Sequence, residues 1–254
     1  MVVPLQMRKS GSRAGHLTDK SSHAVVRMSF RRVGGSAFEG AGEGTAEAPM
    51  QRVLVCVLCG SERWINPRLS TLLVQMALDA RFAVQLEWVY DARPVDYARN
   101  LCVSKARSGG FDWLCMIDHG CAPSCSPLDV LATVPSEVSI VGLGAGICVN
   151  GVHKWNIETP AKPEVLGKFQ EVSRIGAACL MMRSQVWQRI KGPWFRWVTG
   201  DDELLSPEGG KGEDVFFCDL ARQNGFKIWT HGTSPAGHLR TCDLTEIVMQ
   251  AGRR

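Results

Sequence analysis

No apolar run in the 254 residues approaches the roughly 18 needed for a bilayer-spanning helix. The longest conspicuous one, Val53 to Cys59, has only the length of a strand. A soluble chain is expected. No apolar secretory segment follows Met1, so the ten cysteines do not read as the disulfide framework of an exported protein. Reduced thiols in a cytoplasmic protein are the expectation. The body also lacks a charge excess: seven of the 29 basic and four of the 25 acidic residues lie in residues 1–50, leaving 22 against 21 for residues 51–254. The net charge of +4 therefore belongs to the leading segment, and a broad nucleic-acid-binding surface has little support. Disorder throughout is excluded, because 45% hydrophobic residues suffice for a full-sized core. No internal repeat is present.

Residues 1–50 are rich in Gly, Ser, Ala and Arg, show no periodicity and end in GSAFEGAGEGTAEAP. This composition does not offset the entropy of ordering, so a disordered leader, dispensable for folding, is expected. Its first 38 residues hold a single acid, Asp19, which makes an organellar transit peptide the rival reading.

From Arg52 strands and helices alternate. Val53 to Cys59 reads as a buried strand. Asn66 then caps a helix with Pro67 at its first position, and Leu69, Leu72, Leu73 and Met76 recur at helical spacing. Strands near Ala83 to Tyr90 and Trp113 to Ile117 flank a helix near Val95 to Arg107. This order predicts a parallel α/β sheet, with its ligand loops at residues 60–66, 91–96 and 118–126, beyond the strand C-terminal ends. Further on, a short helix after Ser126 and Pro127, strands at Val138 to Leu143 and Gly176 to Met182, and helices at Ser184 to Ile190 and Glu213 to Asn224 are expected. Gly225 stops the last helix, and a strand follows at Lys227 to Trp229. Cys56 with Cys59, and Cys121 with Cys125, have zinc-like spacing, but strand alternation sends Cys56 and Cys59 to opposite faces. They read as buried small side chains.

Two polar clusters stand out. Asp118-His119-Gly120 follows a buried strand, a place suited to a metal or phosphate; the plainer reading is a turn capped by Asp118, with Gly120 at positive φ. Gly212-Glu213-Asp214 opens a helix whose dipole favours negative charge, and capping is again the plainer reading. Downstream, Gly225-Phe226-Lys227-Ile228-Trp229 precedes His238.

In this order the clusters resemble the glycosyltransferase-A fold, especially family-2-like enzymes, across nearly all of residues 52–240. Asp96-Tyr97-Ala98-Arg99-Asn100 is similar to the helix start that faces the donor nucleotide, and the segment from Phe111 to Gly120 to the strand leading into the Asp-x-Asp motif. Arg174 to Met182 resembles the strand opening the acceptor side, Pro193-Trp194-Phe195 the aromatic acceptor segment, Gly212 to Cys218 the acidic motif that supplies the catalytic base, and Gly237-His238 the late metal-ligating histidine. The resemblance implies an open, mostly parallel Rossmann-like sheet with a nucleotide-binding half (51–145) and an acceptor half (146–254). It implies a donor site at Asp96, Arg99, Asn100, Asp118 and His119, with a UDP-sugar as donor. Asp214 is the implied base with Glu213 as competitor, and Trp194, Phe195 and Trp197 are implied to stack on the acceptor, with core packing an equally serious reading for one or two of them. Manganese or magnesium would be held by Asp118, His119 and His238. Gly120 departs from the pattern, because it has no second carboxylate, and Arg99 with other bases is the metal-free alternative. The loop Thr199 to Gly212 is expected to act as a lid. The acceptor, whether glycan, protein or modified nucleic acid, is left open. A non-catalytic binding protein on the same fold and, more distantly, a nucleotidyltransferase are the rival readings; Cys59-Gly60-Ser61-Glu62-Arg63 matches a phosphate loop poorly.

Overall fold

Strand β2 (Arg52–Gly60) is apolar along nearly its whole length because both of its faces are covered. Val53, Val55, Val57 and Cys59 enter one core, whereas Leu54, Cys56 and Leu58 enter the other. The two thiols of the Cys56/Cys59 pair thus face opposite sides, as alternation requires. The structure is a computed structural model that describes residues 25–29, 49–61, 64–149, 152–158, 169–198, 211–231 and 236–238.

Parallel to β2, on its two sides, run β3 (Ala83–Tyr90) and β4 (Trp113–Asp118). The connecting helices pack on opposite faces. Helix α1 (Pro67–Ala77) inserts Leu69, Leu72, Leu73 and Met76 into one core, and α2 (Val95–Ser108) contributes Ala98, Cys102, Val103 and Ala106 to the other. Each such leucine adds about 1.5–3 kcal/mol by leaving water. The start of α1 is set by Asn66, whose side-chain oxygen accepts the Arg68 N–H at 3.0 Å. Ser126 does the same for α3 (Pro127–Thr133), accepting from Leu128 at 3.2 Å.

Beyond α3 the chain makes β6 (Ile140–Gly142), and later β10 (Phe169–Val172), β12 (Cys179–Arg183), α4 (Ser184–Arg189), α5 (Glu213–Gln223) and β13 (Ile228–His231). Helix α5 ends where Gly225 adopts a φ of 80°. Strand β12 lies antiparallel between β4 and β6; β13 is parallel to β6, and β10 is antiparallel to β13. With β1 (Val25–Ser29) the sheet order is β1-β3-β2-β4-β12-β6-β13-β10. Five of the eight strands point the same way, which makes a mixed, mostly parallel α/β sheet. Small paired strands decorate it: β5 (Cys121–Pro123) with β14 (Ala236–His238), β7 (Gly146–Val149) with β8 (Val152–Trp155), and β9 (Ile157–Glu158) with β11 (Arg174–Ile175).

Strand β1 departs from the expected leader at five positions; residues 1–24 and 30–48 of that stretch lie outside the described residues. It lies inside the stretch read as structureless, yet it pairs antiparallel with β3 along five positions. The edge of β3 offers unpaired backbone groups, and the β-favouring sequence VVRMS needs no amphipathic pattern to meet them. The expected strand from Gly176 begins instead at Cys179. Gly176 runs so close to Asn156 that an added Cβ would come within 2.2 Å of its amide nitrogen.

Candidate functional site

The C-terminal end of β4 delivers Asp118, and the loop behind it is locked from three directions. Asp118 donates its N–H to the Ala178 carbonyl (2.9 Å), His119 to Leu58 (3.0 Å), and the Asn66 N–H donates to His119 (2.9 Å). His119 and Gly120 do form a turn, as the plainer reading has it, but Gly120 is not among the glycines at positive φ.

Facing Asp118 is Arg99, on the buried side of α2 and 3% exposed. A guanidinium in that place requires partners on every side. One terminal nitrogen donates to both Asp118 oxygens, at 3.2 and 3.3 Å. Its Nε donates to Glu213 Oε1 at 3.2 Å, and the other terminal nitrogen to the Ala177 carbonyl at 3.0 Å. The ring of Phe195 lies 6.0 Å from the guanidinium carbon. Burial works against the Arg99 charge, but Asp118 and Glu213 outweigh it and raise its pKa. Burial holds the Glu213 carboxyl above its ordinary value, a push that Arg99 opposes and the neighbouring Asp214 assists.

Asp214 sits one residue further along α5, half-buried. A Cβ added at Gly212 would lie 3.0 Å from its Oδ1 and 3.9 Å from the Trp197 ring, so carboxylate and indole flank the same backbone. Trp197 is half-exposed (50%) and donates its N–H to Asp96 at 3.4 Å; the other Asp96 oxygen accepts from Tyr97. Asp96, Asp214 and Trp197 therefore share one rim.

Other expected site residues are engaged elsewhere. Asn100 was expected to face the donor, but its Oδ1 accepts from Trp194 (2.8 Å) and Phe195 (3.1 Å) while its amide nitrogen donates to Phe195 (2.7 Å) and Asp96 (2.8 Å). With its capacity filled by the protein, it clamps the aromatic segment. Trp194 and Phe195, expected at the acceptor, are buried core: the Trp194 indole donates to Ile190 at 2.9 Å, and Phe195 stacks on Phe217 with centroids 4.6 Å apart. The loop from 199 to 210 lies outside the described residues; its flanks, Val198 and Lys211, exchange two backbone hydrogen bonds.

Of the three expected metal ligands, Asp118 and His119 have described side chains, and the side chain of His238 lies outside the described residues. Asp118 is committed to Arg99, and the His119 ring has its Nδ1 3.2 Å from the Leu58 carbonyl and its plane edge-on to Trp64. His238 is brought close in the backbone, opposite Cys121 in the β5/β14 pair. Among the described residues no three His, Cys, Asp or Glu side chains gather to hold a metal ion. One carboxylate already satisfied by a guanidinium does not fit the several hard ligands that magnesium or manganese takes.

The Arg99 bridge was not read from the sequence, though a signal for it exists. Arg99 falls on the buried stripe Ala98, Arg99, Cys102, Val103, Ala106, and Glu213 on the stripe Glu213, Phe217, Cys218, Ala221. Opposite charges on two buried stripes call for one another. A further network was also missed: Asp219 accepts from Arg174 (3.0 and 3.1 Å) and from Lys211 (3.1 Å), anchoring α5. The Asp219 carboxyl is lowered, since these cations outweigh its burial. A separate polar cleft, lined by Glu137, Ser139, Gln185, Arg189 and Lys227, opens at the opposite end of the sheet, away from these groups.

No family model and no curated protein matches the chain. Among solved structures, the chain is similar to A197 from STIV at a TM-score of 0.54 and 15% identity, over 76% of this chain and 87% of that one. A weaker likeness is to GalNAc-T7, solved with UDP, GalNAc and Mn2+: TM-score 0.47 and 12% identity, over 78% of this chain but only 45% of that one. The first likeness concerns the fold alone. No helix among the described residues is long and apolar enough to cross a membrane.

Proposed function

We propose that the chain is a glycosyltransferase that moves a sugar from a nucleotide-sugar donor, a UDP-sugar, to an acceptor hydroxyl. The observation that carries this reading is the Arg99 bridge. It joins three segments, around residues 96–100, 111–120 and 212–218, that resemble the donor and base motifs of glycosyltransferase-A enzymes and are far apart in sequence. The site lies beyond the C-terminal ends of β2, β3 and β4, where open α/β sheets bind ligands.

The chemistry is displacement at the anomeric carbon. The acceptor oxygen forms the new bond, the bond from carbon to the diphosphate oxygen breaks with its electron pair leaving on the diphosphate, and the hydroxyl proton passes to a carboxylate. Asp214 has that role, because it stands at the rim beside the exposed face of Trp197, while Glu213 is buried against Arg99. Trp197 offers a flat apolar face to a sugar ring. Asp118, with its side chain about a quarter exposed, and Asp96 present acceptors for the donor's hydroxyl groups. A divalent cation, manganese or magnesium, belongs to the family pattern and would neutralise the departing diphosphate; the described donor set does not fit one, and no step is routed through it. Glycan, protein and modified nucleic acid each supply such an acceptor hydroxyl.

One observation favours a second reading, a nucleotide- or glycan-binding protein without turnover: the Asp118 carboxylate and the Asn100 amide are both engaged within the protein. Turnover separates the two. Release of UDP from a panel of UDP-sugars, assayed with and without acceptors, is expected for the purified chain and absent from Asp214→Asn. UDP binding without any turnover would establish the second reading instead.

A further inference from the structure

We infer that Arg99 is the resident cation of this site, and that its guanidinium takes up the carboxylates a divalent metal would need, so that the site binds no divalent ion. The inference goes beyond the transfer reading and stands on packing alone. Arg99 meets Asp118 through both oxygens, Glu213 through one, and the Ala177 carbonyl, so four of the oxygens beside it already accept from its guanidinium. These contacts come from α2, β4, α5 and the segment before β12, four parts of the chain built around one planar fork.

A metal ion could not simply be added. A divalent ion takes oxygen ligands at roughly 2.0–2.6 Å. Bound to Asp118, it would stand beside a buried guanidinium held 3.2 Å from the same carboxylate, where like charges are less screened than in open water. Nor could Arg99 readily give way. Its charge is permanent, its fork has fixed geometry, and leaving would strand Glu213, only 7% exposed, without its cation. Two residues beyond Asp118 stands Gly120, which offers no side-chain ligand. Arg99 itself is too buried to touch a substrate. It is a positioning residue that orients Asp118 at the rim and Glu213 at the base of α5.

Direct titration of the full-length chain with Mn2+, followed by the electron paramagnetic resonance signal of the free ion, tests this without any assay of turnover. Wild type is expected to leave the free-ion signal undiminished, and its melting temperature to be the same in Mn2+ and in EDTA. Arg99→Ser leaves Asp118 and Glu213 facing each other without a cation. It is expected to melt lower, to bind Mn2+ at least about tenfold more tightly than wild type, and to regain melting temperature on adding Mn2+, a rescue that loss of packing alone would not give. Arg99→Lys, which restores a positive charge, should lose that affinity again. A stoichiometric manganese site in wild type that disappears in Asp118→Asn overturns the inference, as does a folded Arg99→Ser with no gain in affinity. Should Arg99→Ser fail to fold, the wild-type titration decides alone. If wild type binds neither Mn2+ nor UDP, the transfer reading falls while the assignment of Arg99 stands.

Discussion

Glu213 and Asp214 are successive residues on one helical turn, about 100° apart around the axis, and the structure gives them different surroundings. Asp214→Asn keeps shape and hydrogen bonding but cannot accept a proton; transfer should fall roughly a hundred- to ten-thousand-fold with UDP affinity unchanged. Steady-state kinetics beside a UDP titration reads both. Glu213→Gln should act on stability, removing the charge that Arg99 donates to; a loss of about 1.5–3 kcal/mol in urea unfolding is expected. If instead Glu213→Gln abolishes transfer with stability intact, the two roles are exchanged. His231, against the Phe169 ring, has its pKa lowered by burial. The folded state therefore binds protons less readily than the unfolded one. Its stabilising contribution is full above the ordinary histidine value near 6.5 and is lost as pH falls through the lowered one. Melting temperatures measured between pH 7 and pH 5 should fall less steeply in His231→Gln than in wild type.

Among elements, those that obey a period or carry a cap were legible in the sequence: β2 by its apolar run, α1 by Asn66 and Pro67, α3 by Ser126, the end of α5 by Gly225. The two- to four-residue strands β5, β7, β8, β9, β11 and β14 were not, because so few residues show no alternation and exist only by virtue of their partners. That one or two of the three aromatics pack in the core was legible as an alternative, but not which ones, since nothing in Pro193-Trp194-Phe195 announces that Asn100, some 94 residues away, will hold its backbone. Asn100→Ala should cost about 2–4 kcal/mol, from several hydrogen bonds of roughly 1 kcal/mol each, measured by denaturant unfolding. An unchanged midpoint would mean the clamp is dispensable. Strand β1 makes a different prediction. Removing residues 1–51 uncovers the edge of β3, so the truncated chain should lose solubility and gain concentration-dependent association, with little change in the melting of the core. Light scattering across a dilution series distinguishes this from an edge that needs no cover.

For the molecule as a whole, the division into halves at residue 145 has no counterpart in the sheet. Strand β12, from the second half, lies between β4 and β6 of the first and pairs with both. Residues 51–145 alone should therefore show no cooperative urea transition, and a sharp one would mean that the first half is an independent domain. The placement of β12 also bears on how the chain folds as it is made. Synthesis proceeds from the N-terminus, so β2, β3 and β4 can align early while the β4 edge and isolated β6 wait for residues 179–183 to emerge. Contacts of such long sequence separation slow folding. The central seam of the sheet, buried on both faces in the finished protein, is among the last parts to close on the ribosome, and until then it is the surface most in need of a chaperone.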